Sequence, residues 1–406
     1  MLTTIQLAQQ TTLINLSVLF ERMSFYMMRS VLLGFFIGTS FAMKEEEALE
    51  VYSLFLMSFI FSRVLGGLLS DFVLGSKRSA LLGCAITTLG YISLSISTKP
   101  FILIGFTCVV IGNALYSPSI YAHLGKTFYS RPKKLDGAFM LMYLSIIIGA
   151  FIAPFIALYF ETKFDLKWVF FACAFLMALA TLCCAFLKQE EKTLFIKAKK
   201  NNNTLVILVY LGVVLTGFFY WIFYSFNSVS IEVIFERFPQ SFYEKVQLRL
   251  IAPPLVTTSL SIILSVVWFF WHVKTIVKMM VGIVSITLGC WLLFSFSTDS
   301  KEVFSPVYIV SIFLIGLSEN LMPALINSVI VQYLSPKYFA TLMAVSSFVV
   351  GFVSNEVAQL VTSVFDFGLF GSLVAGIGFA VMSLTLIVIL LLTFKREVDN
   401  QQPNQF

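Results

Sequence analysis

The sequence predicts an all-α integral membrane protein of twelve transmembrane helices, and three observations carry that prediction. Of the 406 residues, 59% are hydrophobic and 12% charged, whereas a soluble chain carries about 25% charge. That share amounts to roughly 240 apolar side chains, enough for about twelve spans of about 20 residues each. The apolar runs between polar breaks also number twelve. Together these exclude a soluble enzyme, a nucleic-acid binder and a disordered protein. The net charge of +6 belongs to basic loops at the membrane surface.

The expected spans are 12–36, 49–71, 79–98, 101–123, 137–161 and 166–187, then 204–228, 250–271, 277–297, 303–334, 338–364 and 369–394. The first ten residues carry no charge and no small-residue cleavage site follows the first apolar run, so the first span is expected to be a retained helix. The run at 303–334 is long enough to tilt or to extend into the cytoplasm.

Loop charge sets the orientation. Even-numbered connections and the tail carry 16 lysines and arginines, odd-numbered ones 8. Both termini are therefore expected in the cytoplasm, with Glu45, Glu46, Glu47 and Glu50 facing outward. A shift of one span would exchange the two sets, so the same count supports twelve. The longest polar cytoplasmic connection, KQEEKTLFIKAKKNNN, divides the chain into a six-helix bundle over 1–188, a linker over 189–203 and a second six-helix bundle over 204–406. Six plus six helices around a basic linker is the layout of the major facilitator fold. The two halves show no convincing residue-level repeat.

The informative residues are ionisable groups inside spans, where each costs a few kcal/mol unless it meets a cavity or a partner. In LSVLFERMSFYMMRSVLL, Arg22, Tyr26 and Arg29 fall on one helix face, with Val18 one turn earlier and Glu21 alongside. Two arginines on one stripe point to a water-filled cavity that receives anionic groups; the competing reading is a salt-bridge network that only locks helices. Arg63, deep in the second span, either pairs with Glu21 or adds a positive group to the site. Lipid-facing snorkelling is its bland alternative. Glu319 and Glu356 are the counter-charges of the second half, each with a structural hydrogen bond as its plainer reading. Glu319 stands four residues before Pro323, where a broken helix would expose backbone groups. His123 and His272 lie at cytoplasmic span ends, suited to a solvated or snorkelling role rather than a proton relay.

GGLLSDFVLGSKRS joins the second and third spans. Gly66 and Gly67 permit close helix approach, Asp71 can bridge to a neighbouring helix end, and Lys77 and Arg78 anchor the turn. Such a clip suits a gate; a plain topogenic turn is the alternative. The cysteines, Cys84, Cys108, Cys173, Cys183, Cys184 and Cys290, all lie in apolar stretches and suggest buried packing rather than metal or disulfide.

These segments resemble the proton-dependent oligopeptide transporter family of the major facilitator superfamily. The family's first-helix signature ExxERFxYY, followed by an arginine, is matched at Glu21, Arg22, Tyr26 and Arg29. IGNALYSPSI resembles a fourth-helix element at Gly112, Asn113 and Pro118, and MYLSIIIGAF a fifth-helix one at Tyr143, Ile146 and Gly149. Trp221 resembles the seventh-helix tryptophan, and Glu319 with Pro323 and Ser335–Lys337 the tenth-helix glutamate, proline and turn. Gly67, Asp71, Gly75, Lys77 and Arg78 match the superfamily's clip. The departures are systematic: Val18, Ser117, Ile147, Ser225 and Phe226 replace two carboxylates, a lysine, an asparagine and a glutamine. In the family these carboxylates and the lysine serve proton coupling and the peptide carboxylate. Val18 and Ser225 thereby remove expected partners of Arg22 and Arg29, and Arg63 is a candidate substitute for the missing cation.

The resemblance implies a secondary active transporter of small peptides or peptide-like zwitterions in a bacterial inner membrane, working as a monomer, with no cofactor beyond a possible proton gradient. The arginines would take the carboxylate end and Glu319 the amine, with Tyr26, Tyr143 and Trp221 also lining the substrate site. Coupling would run through Glu21, Glu319 or Glu356. The rival reading is a major facilitator transporter or exchanger of another organic anion or drug-like solute, not driven by protons. A membrane protein that has lost transport is a third.

Overall fold

The computed structural model describes residues 4–38, 43–96, 98–189, 203–237, 252–270, 273–299 and 306–364, with short pieces of 377–388. The expected linker, all but its ends, and most of the expected twelfth span lie outside these residues, as does His272. Everything regular in the described part is helical, as a bilayer demands: with no water to satisfy them, backbone groups must bond within the segment.

The first six helices are α1 (Thr4–Ile37), α2 (Glu45–Leu69), α3 (Ser76–Ser95), α4 (Lys99–Phe128), α5 (Pro132–Lys163) and α6 (Leu166–Ala185). They are followed by α7 (Asn203–Arg237), α8 (Ala252–Phe270), α9 (Thr275–Asp299) and α10 (Pro306–Tyr333). The eleventh span is composite: a 3-10 turn at Pro336–Tyr338, α11 (Phe339–Ser347), a π-turn at Phe348–Val353 and α12 (Ser354–Val364). Among the described residues eight of these segments are long and apolar enough to cross a membrane. α1 interrupts its apolar length with Glu21, Arg22 and Arg29, and α3 is rich in serine, threonine and glycine.

Local sequence explains the ends. Pro100 and Pro132 open α4 and α5, where a missing N–H costs nothing. α2 passes into a π-turn at Ser70–Leu74 and stops at Gly75, whose φ of 80° suits a residue without Cβ. One expectation is corrected here. Pro323 does not break α10, which runs unbroken through it; the proline only deprives the Glu319 carbonyl of its i+4 donor.

Contacts divide the chain into two compact units, Met1–Ala198 with Ser335–Val345, and Lys199–Leu334 with Ser346–Phe406. In the first, α3 and α4 pack most intimately. Gly83 faces Gly112 and Gly90 faces Gly105, and a Cβ at Gly83 would stand 2.6 Å from the Gly112 carbonyl. Small residues of this kind let backbones close up in lipid, where packing rather than the hydrophobic effect joins helices. At Gly66 a Cβ would overlap the Ala114 carbonyl, the oxygen that Pro118 leaves without its i+4 donor. The core beside them is aromatic: Phe55 touches Phe59 and Phe106 edge-on at 4.8 and 5.0 Å between centroids. In the second unit α10 packs on α9, with Gly289 against Ile315 and the Ser311 carbonyl.

Candidate functional site

In the first unit the intramembrane charges converge. Glu21 and Arg22 sit near the middle of α1, and Gly149 of α5 lies close enough that a Cβ there would stand 3.0 Å from the Arg22 Cβ. Arg22 Nε and Nη2 donate to Glu21 Oε2 and Oε1 at 2.5 and 2.9 Å. Adjacent residues on a helix point about 100° apart; the long arginine stem closes the gap. Both side chains are largely buried, 12% and 4% exposed. The Arg22 guanidinium also stands 5.4 Å from the centre of the Phe25 ring.

Asn113, at the middle of α4, joins this pair to a second arginine. Its Nδ2 donates to Glu21 Oε1 at 2.9 Å, and its Oδ1 accepts from Arg63 Nε at 3.1 Å. Arg63 therefore does not pair with Glu21, as the sequence had allowed; an amide stands between them. Tyr26 and Tyr121 lie within electrostatic range of both arginines. Asn113 entered the sequence reading only as part of a motif match. The signal that marks it is a buried amide halfway along an apolar span.

Other expected residues fall elsewhere. Arg29 shares the α1 stripe with Arg22 and Tyr26, yet it is exposed and donates to the Tyr52 hydroxyl at 3.1 Å. Val18 is buried, and Arg22 compensates for the missing carboxylate there by taking Glu21. Tyr143 on α5 is half-buried. Ser117, where the family has lysine, is buried within α4. All six cysteines are free thiols. Ser17 Oγ is hydrogen-bonded to the Tyr116 hydroxyl at 2.9 Å and to Cys184 Sγ at 3.1 Å.

At the α2–α3 turn, Asp71 accepts from the backbone N–H groups of Ala340 and Thr341 at 3.3 and 2.7 Å. A carboxylate there satisfies two orphan donors at the start of α11 and meets its positive dipole end. Gly67 faces the Ala340 carbonyl and the Ala344 side chain, so the close approach expected of it is present. Lys77 is half-buried and Arg78 exposed. His123 corrects its expectation: it is 3% exposed, with Nδ1 at 3.2 Å from the Ser76 hydroxyl.

Among the described residues of the second unit, a polar cluster forms around Glu319. Glu319, near the middle of α10, accepts from Thr257 Oγ1 of α8 at 3.2 Å. Next to it Asn320 accepts from Ser261 Oγ and donates to the Thr257 and Gly316 carbonyls at 3.1 and 2.8 Å. The α7 aromatics stand beside this pair: Trp221 stacks on Tyr224 at 5.1 Å and 28°, and Tyr224 lies beside Glu319. Ser225, where the family has glutamate, turns back to the Trp221 carbonyl at 2.9 Å. Glu356, in the first turn of α12, is exposed rather than gathered into the Glu319 cluster.

The family model of the Major Facilitator Superfamily matches residues 14–358. A peptide transporter of Yersinia enterocolitica, YePEPT, is 32% identical over 146 residues, 34% of this chain and 29% of its own length. Dipeptide and tripeptide permease B of Photorhabdus luminescens is 26% identical over 222 residues, 53% of this chain and 45% of its own. The chain thus spans less than half the length of these relatives. In fold, a POT family transporter crystallised with a thioalcohol-conjugated peptide aligns at a TM-score of 0.59, with 15% identity, over 95% of this chain and 96% of its own. A structure from work on substrate recognition in proton-dependent oligopeptide transporters aligns at 0.58, with 18% identity, over 96% and 99%. With a family model matching most of its length and the same helical architecture throughout, the chain belongs to the Major Facilitator Superfamily, and among its members it is similar to the POT family peptide transporters.

Proposed function

We propose that this protein is a secondary active transporter of small peptides or peptide-like zwitterions, moving them by alternating access of its two bundles. One observation carries the reading: each half keeps ionisable groups at mid-span, predominantly basic in the first and acidic in the second. The first holds two guanidiniums against one carboxylate; the second holds Glu319. Keeping charge at that depth costs a few kcal/mol per group, a cost that a ligand with an anionic and a cationic end offsets. The arginines take the carboxylate, Glu319 takes the amine, and Trp221, Tyr143 and Tyr26 supply aromatic walls. The peptide-transporting relatives support the same substrate class.

Proton coupling follows the family manner with altered groups. Glu21, Glu319 and Glu356 are the remaining acceptors; protonating Glu21 would release Arg22, and protonating Glu319 would weaken its hold on an amine. The loop-charge bias supports cytoplasmic termini and the bacterial relatives an inner-membrane location, and the functional unit of this reading is the monomer. Gly67, Asp71, Lys77 and Arg78 act as a gate clip.

The test is uptake of labelled dipeptide by purified protein in liposomes, with and without an inward proton gradient. Gradient-stimulated uptake is expected. No uptake under either condition overturns the peptide reading; uptake indifferent to the gradient overturns coupling alone. Val18, Ser117 and Ser225 favour one second reading, an exchanger of another organic anion without protons.

A further inference from the structure

We infer that Arg63, and not Arg22, is the anion anchor of this transporter, and that Asn113 is the residue that positions it. The inference rests on the zwitterion reading above and names which cation holds the anionic end, a carboxylate or another oxyanion such as a phosphonate.

The argument is one of donors and charge. Arg22 gives Nε and Nη2 to Glu21 in a two-point fork, so its charge is matched by that carboxylate. Glu21 in turn accepts three N–H groups, two from Arg22 and one from Asn113. The Asn113 amide sits the only way round it can: a carboxylate only accepts and a guanidinium only donates, so Nδ2 faces Glu21 and Oδ1 faces Arg63. Held at Nε by a neutral oxygen, Arg63 gains orientation without losing charge. Its two terminal nitrogens have no hydrogen-bond partner among the described residues. That edge can grip a planar oxyanion with two parallel bonds.

The cluster therefore carries one uncompensated positive charge, and it sits on Arg63, half-buried in the middle of the bundle. An unmatched guanidinium at this depth is unfavourable unless an anion visits it. Tyr26 and Tyr121 are near it, but neutral hydroxyls orient an oxyanion without cancelling the arginine. Asn113 thus stands between Arg63 and the Glu21–Arg22 pair.

The experiment compares a labelled dipeptide with the same dipeptide amidated at its C-terminus, using the full chain in liposomes for uptake and in detergent for ligand-induced thermal stabilisation. The parent is expected to prefer the free acid. Arg63→Met should raise the KM for the free acid roughly tenfold to a hundredfold, the worth of a lost charged hydrogen-bond pair. KM for the amide should stay, so the preference collapses towards one. Arg63→Lys should fall between, since a point charge cannot form the fork. Asn113→Asp, which sets one carboxylate oxygen against Arg63 and the other against Glu21, should collapse the free-acid-to-amide ratio towards one, a change of preference that a merely structural fault would not produce.

If Arg63→Met and Asn113→Asp keep the parent's preference, the inference is overturned. Should Asn113→Asp fail to give a monodisperse protein, the two Arg63 variants decide by the same ratio. If the parent neither binds nor moves the dipeptide, the peptide reading fails separately. The anchor is then judged on stabilisation by acetate and methylphosphonate. Loss of that stabilisation in Arg63→Met supports it; no stabilisation of the parent, or equal stabilisation of both, overturns it.

Discussion

Glu21 is the residue on which the first cluster turns, because three N–H donors meet on its carboxylate while its side chain is only 4% exposed. Breaking such a pair from one side leaves an uncompensated buried charge and costs about 3–5 kcal/mol. Glu21→Gln is therefore expected to lower the thermal unfolding midpoint in detergent, and Glu21→Gln with Arg22→Gln to recover much of the loss. A double variant no more stable than the single one would show that the pair is not the reason. Glu319 is a different case. Its partners are hydroxyls, Thr257 Oγ1 at 3.2 Å and that of Tyr224, and glutamine can still accept from them. Glu319→Gln should stay within about 1 kcal/mol of the parent in stability yet lose gradient-stimulated uptake. Retained stimulation would take Glu319 out of the coupling scheme. Neither contrast was legible beforehand: hydropathy marks a charge as costly but does not say what lies beside it.

At the scale of elements, the glycines divide sharply by what faces them. Gly66 leaves no room for a Cβ against the Ala114 carbonyl, and Gly112 none against Thr87 and the Gly83 carbonyl. Gly34 on α1 faces nothing within 4 Å. Gly112→Val and Gly66→Val must push α4 away from α3 or α2; overpacking typically costs about 1–3 kcal/mol, more where backbone has to move. Gly34→Ala should be neutral or stabilising by up to about 1 kcal/mol, through helix propensity. Fluorescence-detected size exclusion across a temperature ramp ranks the three, and equal behaviour would contradict the packing described. The spans themselves were readable: expected runs such as 166–187 and 277–297 emerge as Leu166–Ala185 and Thr275–Asp299. What periodicity could not supply was the interruption of the eleventh span by a π-turn at Phe348–Val353, since hydropathy is blind to one extra residue per turn. The unbroken course of α10 through Pro323 has the same origin: in a bundle, packing on both sides holds the helix together across one missing hydrogen bond.

For the whole molecule, the segment Ser335–Val345 belongs with the first unit although it lies far along the chain. Asp71 is a polar tie, through the Ala340 and Thr341 N–H groups, and the ring pairs Phe72–Tyr338, 5.8 Å apart, and Tyr129–Phe339, 6.1 Å apart, are apolar ones. Asp71→Ala removes a charge–dipole contact worth about 1 kcal/mol, so the folded protein should survive while the maximal uptake rate falls. An unchanged rate would reduce the clip to a topological turn. Sequence alone determined the class of this protein: an apolar period near the thickness of a bilayer, a basic bias on alternate loops and a few expensive charges at mid-span. Those properties run along one dimension because a membrane reads a helix by depth. The partners of those charges were settled only by the tertiary structure. Arg22 closes on its own neighbour, Asn113 carries Arg63, Arg29 turns to Tyr52 and Glu356 stays exposed. Side-by-side contact depends on helix rotation and on where glycines let backbones approach, and neither is written in the depth of a residue.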